Sequence, residues 1–155
     1  MKGDNEVIDG LNMLLVGELT AMDQYLVHSK MYEDWDLSKL HERIAHEFDD
    51  EKEHAQKLIE RILFLEGKPD VTKREGLAIG YTVPDMLQND LNLEYQVVTN
   101  LRKVIALCES KQDFQTRNML MPLLEETEQD HVYWLEQQLG LIDKVGLENY
   151  LQSMM

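Results

Sequence analysis

The pattern Glu-x-x-His occurs twice in the chain, at Glu51–His54 and Glu128–His131, and each copy trails a lone glutamate by nearly the same interval. Glu18 precedes Glu51 by 33 residues, and Glu94 precedes Glu128 by 34. Residues three apart share a helix face, so each pair offers a carboxylate beside an imidazole. Two such pairs plus two further carboxylates, spread over four helices, form the side-chain set of a two-metal site inside a helical bundle.

Hydrophobic periodicity supplies the four helices. Val7, Ile8, Leu11, Leu15, Leu19, Met22 and Leu26 predict a first helix over 5–34 with Asp4 as N-cap. A second, capped by Ser38, runs over 38–65 until Gly67 and Pro69 end it. Pro84 suits the first turn of a third over 84–109. A fourth spans 113–141, with Pro122 expected to kink or bulge it. A short fifth, 147–153, must dock to be stable. Residues 66–83 have no helical period. A 28-residue helix is about 42 Å long, and eighteen extended residues reach at most ~59 Å. The segment is therefore long enough to cross the bundle, and the expected fold is an all-α four-helix bundle with one long crossover, in one domain over 1–155.

Position decides whether these glutamates matter. Glu18, Glu51, Glu94 and Glu128 each sit on the apolar stripe of their own helix, with apolar residues a turn and two turns away. One such glutamate usually reaches water. Four of them, on four helices and two with a matched histidine, argue against that explanation. An unpaired buried carboxylate costs several kcal/mol or more, and lysine and arginine are sparse on the same stripes. Two divalent cations would balance the four carboxylates. Mixed oxygen and nitrogen ligands suit iron, manganese or zinc alike. Tyr25, two turns beyond Glu18, is a packing residue, a hydrogen-bonding neighbour of the site or a radical site. His46–Glu47 opens like a zinc-protease motif, but position 50 is Asp, which excludes that reading. His46 and Asp50 form either a second, weaker metal site or an ordinary solvated pair. His28 and His41 carry no motif and read as surface or helix-packing residues.

The net charge of −15 repels nucleic acid and anionic membranes, excluding both as partners. The single Cys108 forms no intrachain disulfide. No apolar run approaches a membrane span and no secretory signal is present, so the expected location is the cytoplasm.

The opening MKGD, the segment HSKMYEDW, RILFLEG at 61–67, DLNLE at 90–94 and the ending GLENYLQS resemble the bacterioferritins, and the resemblance covers essentially the whole chain. It implies that Glu18, Glu51, His54, Glu94, Glu128 and His131 hold a di-iron ferroxidase centre. There Fe2+ would be oxidised by O2 or H2O2, and a ferric mineral laid down inside a 24-subunit shell. It places Asn149 and Gln152 near a pore, and His46 and Asp50 on an iron-binding inner surface. Two departures stand out. The position expected to hold a haem-ligating methionine is Lys52, whose ammonium has no lone pair for iron. Haem b is therefore not expected in the homopolymer, although a mixed shell with a haem-binding paralogous subunit would carry it. The 34-residue interval also leaves the fourth helix one residue longer than the family pattern. Competing readings are a discrete di-metal oxidase or peroxidase without a storage cavity, and an inert structural bundle. The first resembles rubrerythrins or manganese catalases, and the chain lacks the cysteine pairs of a rubrerythrin iron–thiolate site.

Overall fold

A computed structural model describes residues 1–155 and contains no strand. Helix α1, Asn5–Asp34, is capped by Asp4, whose carboxylate accepts from the backbone N–H groups of Glu6 and Val7. Helix α2 spans Ser38–Phe64. Leu37 occupies its N-cap without a side-chain bond, so Ser38 is the first helical residue and not the cap. Helix α3, Val83–Ser110, is capped by Thr82 and carries Pro84 in its first turn. Helix α4, Phe114–Glu126, starts at an Asp113 cap and continues through Pro122. A π segment, Thr127–Val132, follows, and α5 runs over Tyr133–Val145. Helix α6 is Leu147–Ser153. The irregularity expected at Pro122 thus lies five residues further on. The π segment absorbs the extra residue of the second hairpin, and at its entrance Thr127 Oγ1 donates to the Leu123 carbonyl at 2.8 Å.

The apolar interior is split in two. One cluster takes Leu11 and Leu15 from α1, Leu58 from α2, Leu101 from α3 and Leu120 from α4. The other takes Tyr25, Ile44, Leu87, Leu91 and Leu135. The break falls at Glu18 on α1, Glu51 on α2, Glu94 on α3 and His131 on the π segment. Charged side chains fill the middle layer, and apolar packing clamps it from both ends.

The crossover between α2 and α3 lies along α1 and is fixed by a ladder of polar side chains one turn apart. Thr20 Oγ1 accepts the Glu75 N–H at 2.9 Å, Gln24 Oε1 the Ala78 N–H at 3.1 Å, and His28 Nε2 the Gly80 N–H at 3.1 Å. Gly80 lies so close to α3 that a Cβ there would come within 2.5 Å of the Met86 backbone nitrogen. Because His28 accepts at Nε2, Nδ1 donates to Asp90 Oδ1 at 2.8 Å, and Gln24 Nε2 donates to the same oxygen at 2.8 Å. His28 is fully buried, which selects the helix-packing alternative over the surface one. His28→Ala would strand the Gly80 N–H and strip Asp90 of a donor. Each unsatisfied buried group costs about 1–3 kcal/mol, so thermal unfolding should report a loss of roughly 3 kcal/mol. Limited proteolysis should cut first within 72–80. An unchanged melting temperature would remove the ladder's structural role.

Helix α6 docks through Tyr150, whose hydroxyl donates to Gln138 Oε1 at 2.8 Å. Lys39 Nζ donates to the Ser153 carbonyl at 3.0 Å. Asn149 and Gln152 are exposed. No helix is long and apolar enough to cross a membrane.

Candidate metal centre

Glu18, Glu51, His54, Glu94 and His131 converge in the middle layer, each at most 1% exposed. They form two three-residue groups, Glu18–Glu51–His54 and Glu51–Glu94–His131, with Glu51 common to both. On one side, His54 Nδ1 lies 3.6 Å from Glu51 Oε2 and 3.7 Å from Glu18 Oε2. On the other, His131 Nδ1 lies 2.9 Å from Glu51 Oε1 and 3.2 Å from Glu94 Oε1. The imidazoles run nearly parallel, with ring centroids 6.2 Å apart. Each turns its other nitrogen to a carboxylate: His54 Nε2 is 3.2 Å from Glu126 Oε2, and His131 Nε2 is 3.1 Å from Asp50 Oδ2. An acid on the far nitrogen is how metal-binding histidines are oriented, and at His54 the near nitrogen is left without a partner. Glu18 Oε2, both Glu51 oxygens, Glu94 Oε2 and His54 Nδ1 are buried without a hydrogen-bond partner. Five orphaned polar atoms in one layer are a set of ligand atoms that cations would satisfy.

The electrostatics show the same demand. Burial alone would raise the Glu51 carboxyl, yet the adjacent His131 and His54 imidazoles hold it down at about 2. Burial and the neighbouring Glu51 charge push Glu94 up to about 7, against His131 and Tyr25, which favour its ionised form. Burial works against protonated imidazoles, but the Glu94 charge and the adjacent Asp50, Glu47 and Glu51 carboxylates lift His131 well above its ordinary value. The Tyr25 hydroxyl donates to Glu94 Oε1, so Tyr25 steadies a carboxylate of the site.

Glu128 does not join these residues. Its side chain is about one-third exposed, with Oε2 3.2 Å from Arg102 Nη2. The reason is the π segment. An α-helix turns about 100° per residue and a π-helix roughly 80°, so residues four apart, not three, share a face in the wider turn. Thr127 accordingly lies under His131, fully buried, and Glu128 is rotated toward α3.

Several charged neighbours carry no motif. Glu47, one turn before Glu51, is 2% exposed and its Oε2 lies 2.6 Å from His131 Nε2. Its place on the Glu51 face was the available signal. Arg43 donates from Nε to Glu47 Oε1 and from Nη2 to Asp130 Oδ1, both at 2.8 Å. A basic residue does therefore reach the rim of the cluster, although lysine and arginine are sparse on the four stripes. His46 Nε2 lies 3.4 Å from Asp50 Oδ2, and these two group with Asp130 at the partly exposed edge. Lys52 is exposed. Cys108 is buried in the apolar core.

A bundle with one long crossover, bringing inward carboxylates and histidines from all four of its helices to one layer, defines a ferritin-like protein. The Ferritin-like domain family matches residues 8–145. A bacterial ferritin of Synechocystis sp. is 56% identical over 155 residues, covering 100% of this chain and 99% of that protein. A bacterial ferritin of Paramagnetospirillum magnetotacticum is 59% identical over 154 residues, covering 99% and 94%. A bacterioferritin of Mycolicibacterium paratuberculosis is 41% identical over 150 residues, covering 97% and 94%. The chain belongs to the bacterioferritin family.

Proposed function

We propose that the protein oxidises Fe2+ and stores the ferric product inside a 24-subunit shell in the cytoplasm. The observation that carries this reading is Glu51, a buried carboxylate shared by two three-residue metal groups. Iron is substrate here. One ion takes Glu18, Glu51 and His54, the other Glu51, Glu94 and His131. A carboxylate shared in this way suits ions about 3.5–4 Å apart. Two Fe2+ ions give up one electron each, enough with two protons to take O2 to hydrogen peroxide or H2O2 to water. Carboxylate oxygens favour the ferric product because added positive charge is better compensated by anionic ligands. Glu47, Asp50 and Asp130 continue the acidic lining from the centre to its partly exposed edge. With His46 they form the path by which oxidised iron leaves for the cavity. In such a shell the exposed Asn149 and Gln152 of α6 would lie near a pore. Lys52 gives the homopolymer no haem ligand, so haem would enter only through a paralogous subunit in a mixed shell.

Aerobic Fe2+ titration of the purified homopolymer, with size-exclusion chromatography and an absorption spectrum, tests the reading. The expected result is a particle near two dozen subunits, rapid ferric formation and no Soret band. Ferric formation by a monomer or dimer would instead support a discrete di-metal oxidase without a storage cavity. No rapid oxidation would leave an inert bundle.

A further inference from the structure

The dinuclear reading leaves Glu128 and its partner unexplained. Glu18, Glu51 and Glu94 carry three negative charges, one short of balancing two divalent cations, and Glu128 is the carboxylate three residues from His131. Its side chain instead pairs with Arg102 on α3, one turn beyond Val98. Together with Tyr95, Val98, Val132 and Glu136 the pair lines a cleft of about 500 Å³ between α3 and α5. Val98 lies one turn past Glu94 and Val132 directly follows His131, so the floor of this cleft adjoins the Glu94–His131 half of the centre.

We propose that Arg102 is a positioning residue for the metal centre: it competes with the ions for the Glu128 carboxylate and draws Glu128 to the cleft wall. The π segment supplies the second position. Moving the wide turn along the helix restores α-helical spacing between Glu128 and His131 and swings the carboxylate inward, supplying the fourth negative charge. Backbone bonds on either side of a π turn need only exchange partners by one residue for this, and the slack residue is already present. The Arg102–Glu128 pair is partly solvent-exposed, so the competition it offers is modest, which suits a contact that must yield.

This inference rests on the dinuclear reading, and its test separates the two. Anaerobic titration with Co2+, followed by visible absorption, reads metal affinity without any turnover. Arg102→Ala should bind one of the two ions about 1.5- to 5-fold more tightly than the parent, the range set by an exposed ion pair. Arg102→Lys, which keeps a charge without the planar fork, should fall between. The deciding comparison is Arg102→Ala in a Glu128→Gln background, where the gain should vanish. An equal gain in both backgrounds would mean that Arg102 only repels cations, and would overturn the latch. So would parent-like affinity in Arg102→Ala. A parent protein that binds no Co2+ would overturn the dinuclear reading, and the latch with it.

Discussion

Glu51→Gln is expected to eliminate both metal positions, whereas Glu18→Ala should weaken only one. The asymmetry follows from geometry. Glu51 alone offers one oxygen toward His54 and the other toward His131, at 3.6 and 2.9 Å. Its carboxyl stays ionised down to about 2 despite complete burial, because two imidazoles hold the charge in place. Glutamine keeps the shape and removes that charge. Loss of an outer partner at a metal site typically costs 10–100-fold in affinity or activity, so removing a shared inner ligand should slow ferric formation by about a hundredfold or more. Anaerobic Co2+ titration should fall from two ions per subunit to none at concentrations that saturate the parent. Two ions still bound by Glu51→Gln, with oxidation within a few-fold of the parent, would refute the shared-ligand arrangement.

Why was this residue legible in the sequence while Glu128 was misplaced? Glu18, Glu51 and Glu94 lie in regular α-helix, where an apolar stripe at three- and four-residue steps reports which side chains point inward. Glu128 lies where that ruler fails. The interval of 34 against 33 signalled a surplus residue, and Pro122 was the natural place for it because proline disrupts the backbone ladder. The chain instead widened the turn at Thr127–Val132, inside the motif itself, so His131 kept its place and Glu128 lost it. The α1 ladder escaped for a different reason. Thr20, Gln24 and His28 repeat every fourth residue, but a search for apolar periodicity passes over polar side chains, and their partners are backbone groups of a segment with no period. Glu47 was within reach of the same stripe logic, one turn from Glu51. Glu126 was not, because its approach to His54 follows from the helix path into the π segment. The fold depends on patterns repeated over many residues and survives one local surprise, whereas a metal site depends on single side chains and does not.

Glu94→Gln should make the protein more stable and less active at once. Burial and the Glu51 charge raise the Glu94 carboxyl from an ordinary 4.5 to about 7. In the unfolded chain this group loses its proton near 4.5, while in the folded chain it keeps it until about 7. Between those values the folded state holds more protons, so stability falls as pH rises and levels off above 7. At 1.36 kcal/mol per pH unit the penalty is about 3 kcal/mol. Glutamine carries no such penalty, and its amide oxygen still accepts from Tyr25. In chelator at pH 8 the variant should therefore melt about 6–12 °C higher than the parent, at 2–4 °C per kcal/mol for a chain of this size. At pH 4.5 the two should converge. Divalent cations close most of that gap, because the parent gains more from binding them. At a hundred times the dissociation constant each site adds about 2.7 kcal/mol, and the variant, short of an anionic ligand on its His131 side, gains less. A melting temperature for Glu94→Gln that matches the parent in chelator across pH 4.5–8 would show that Glu94 is not held ionised at a cost. The electrostatic argument for cations in this layer would then lose its strongest support. The narrowing makes the same residue a liability to the empty fold that metal binding offsets, as for a charge kept for chemistry and not for stability.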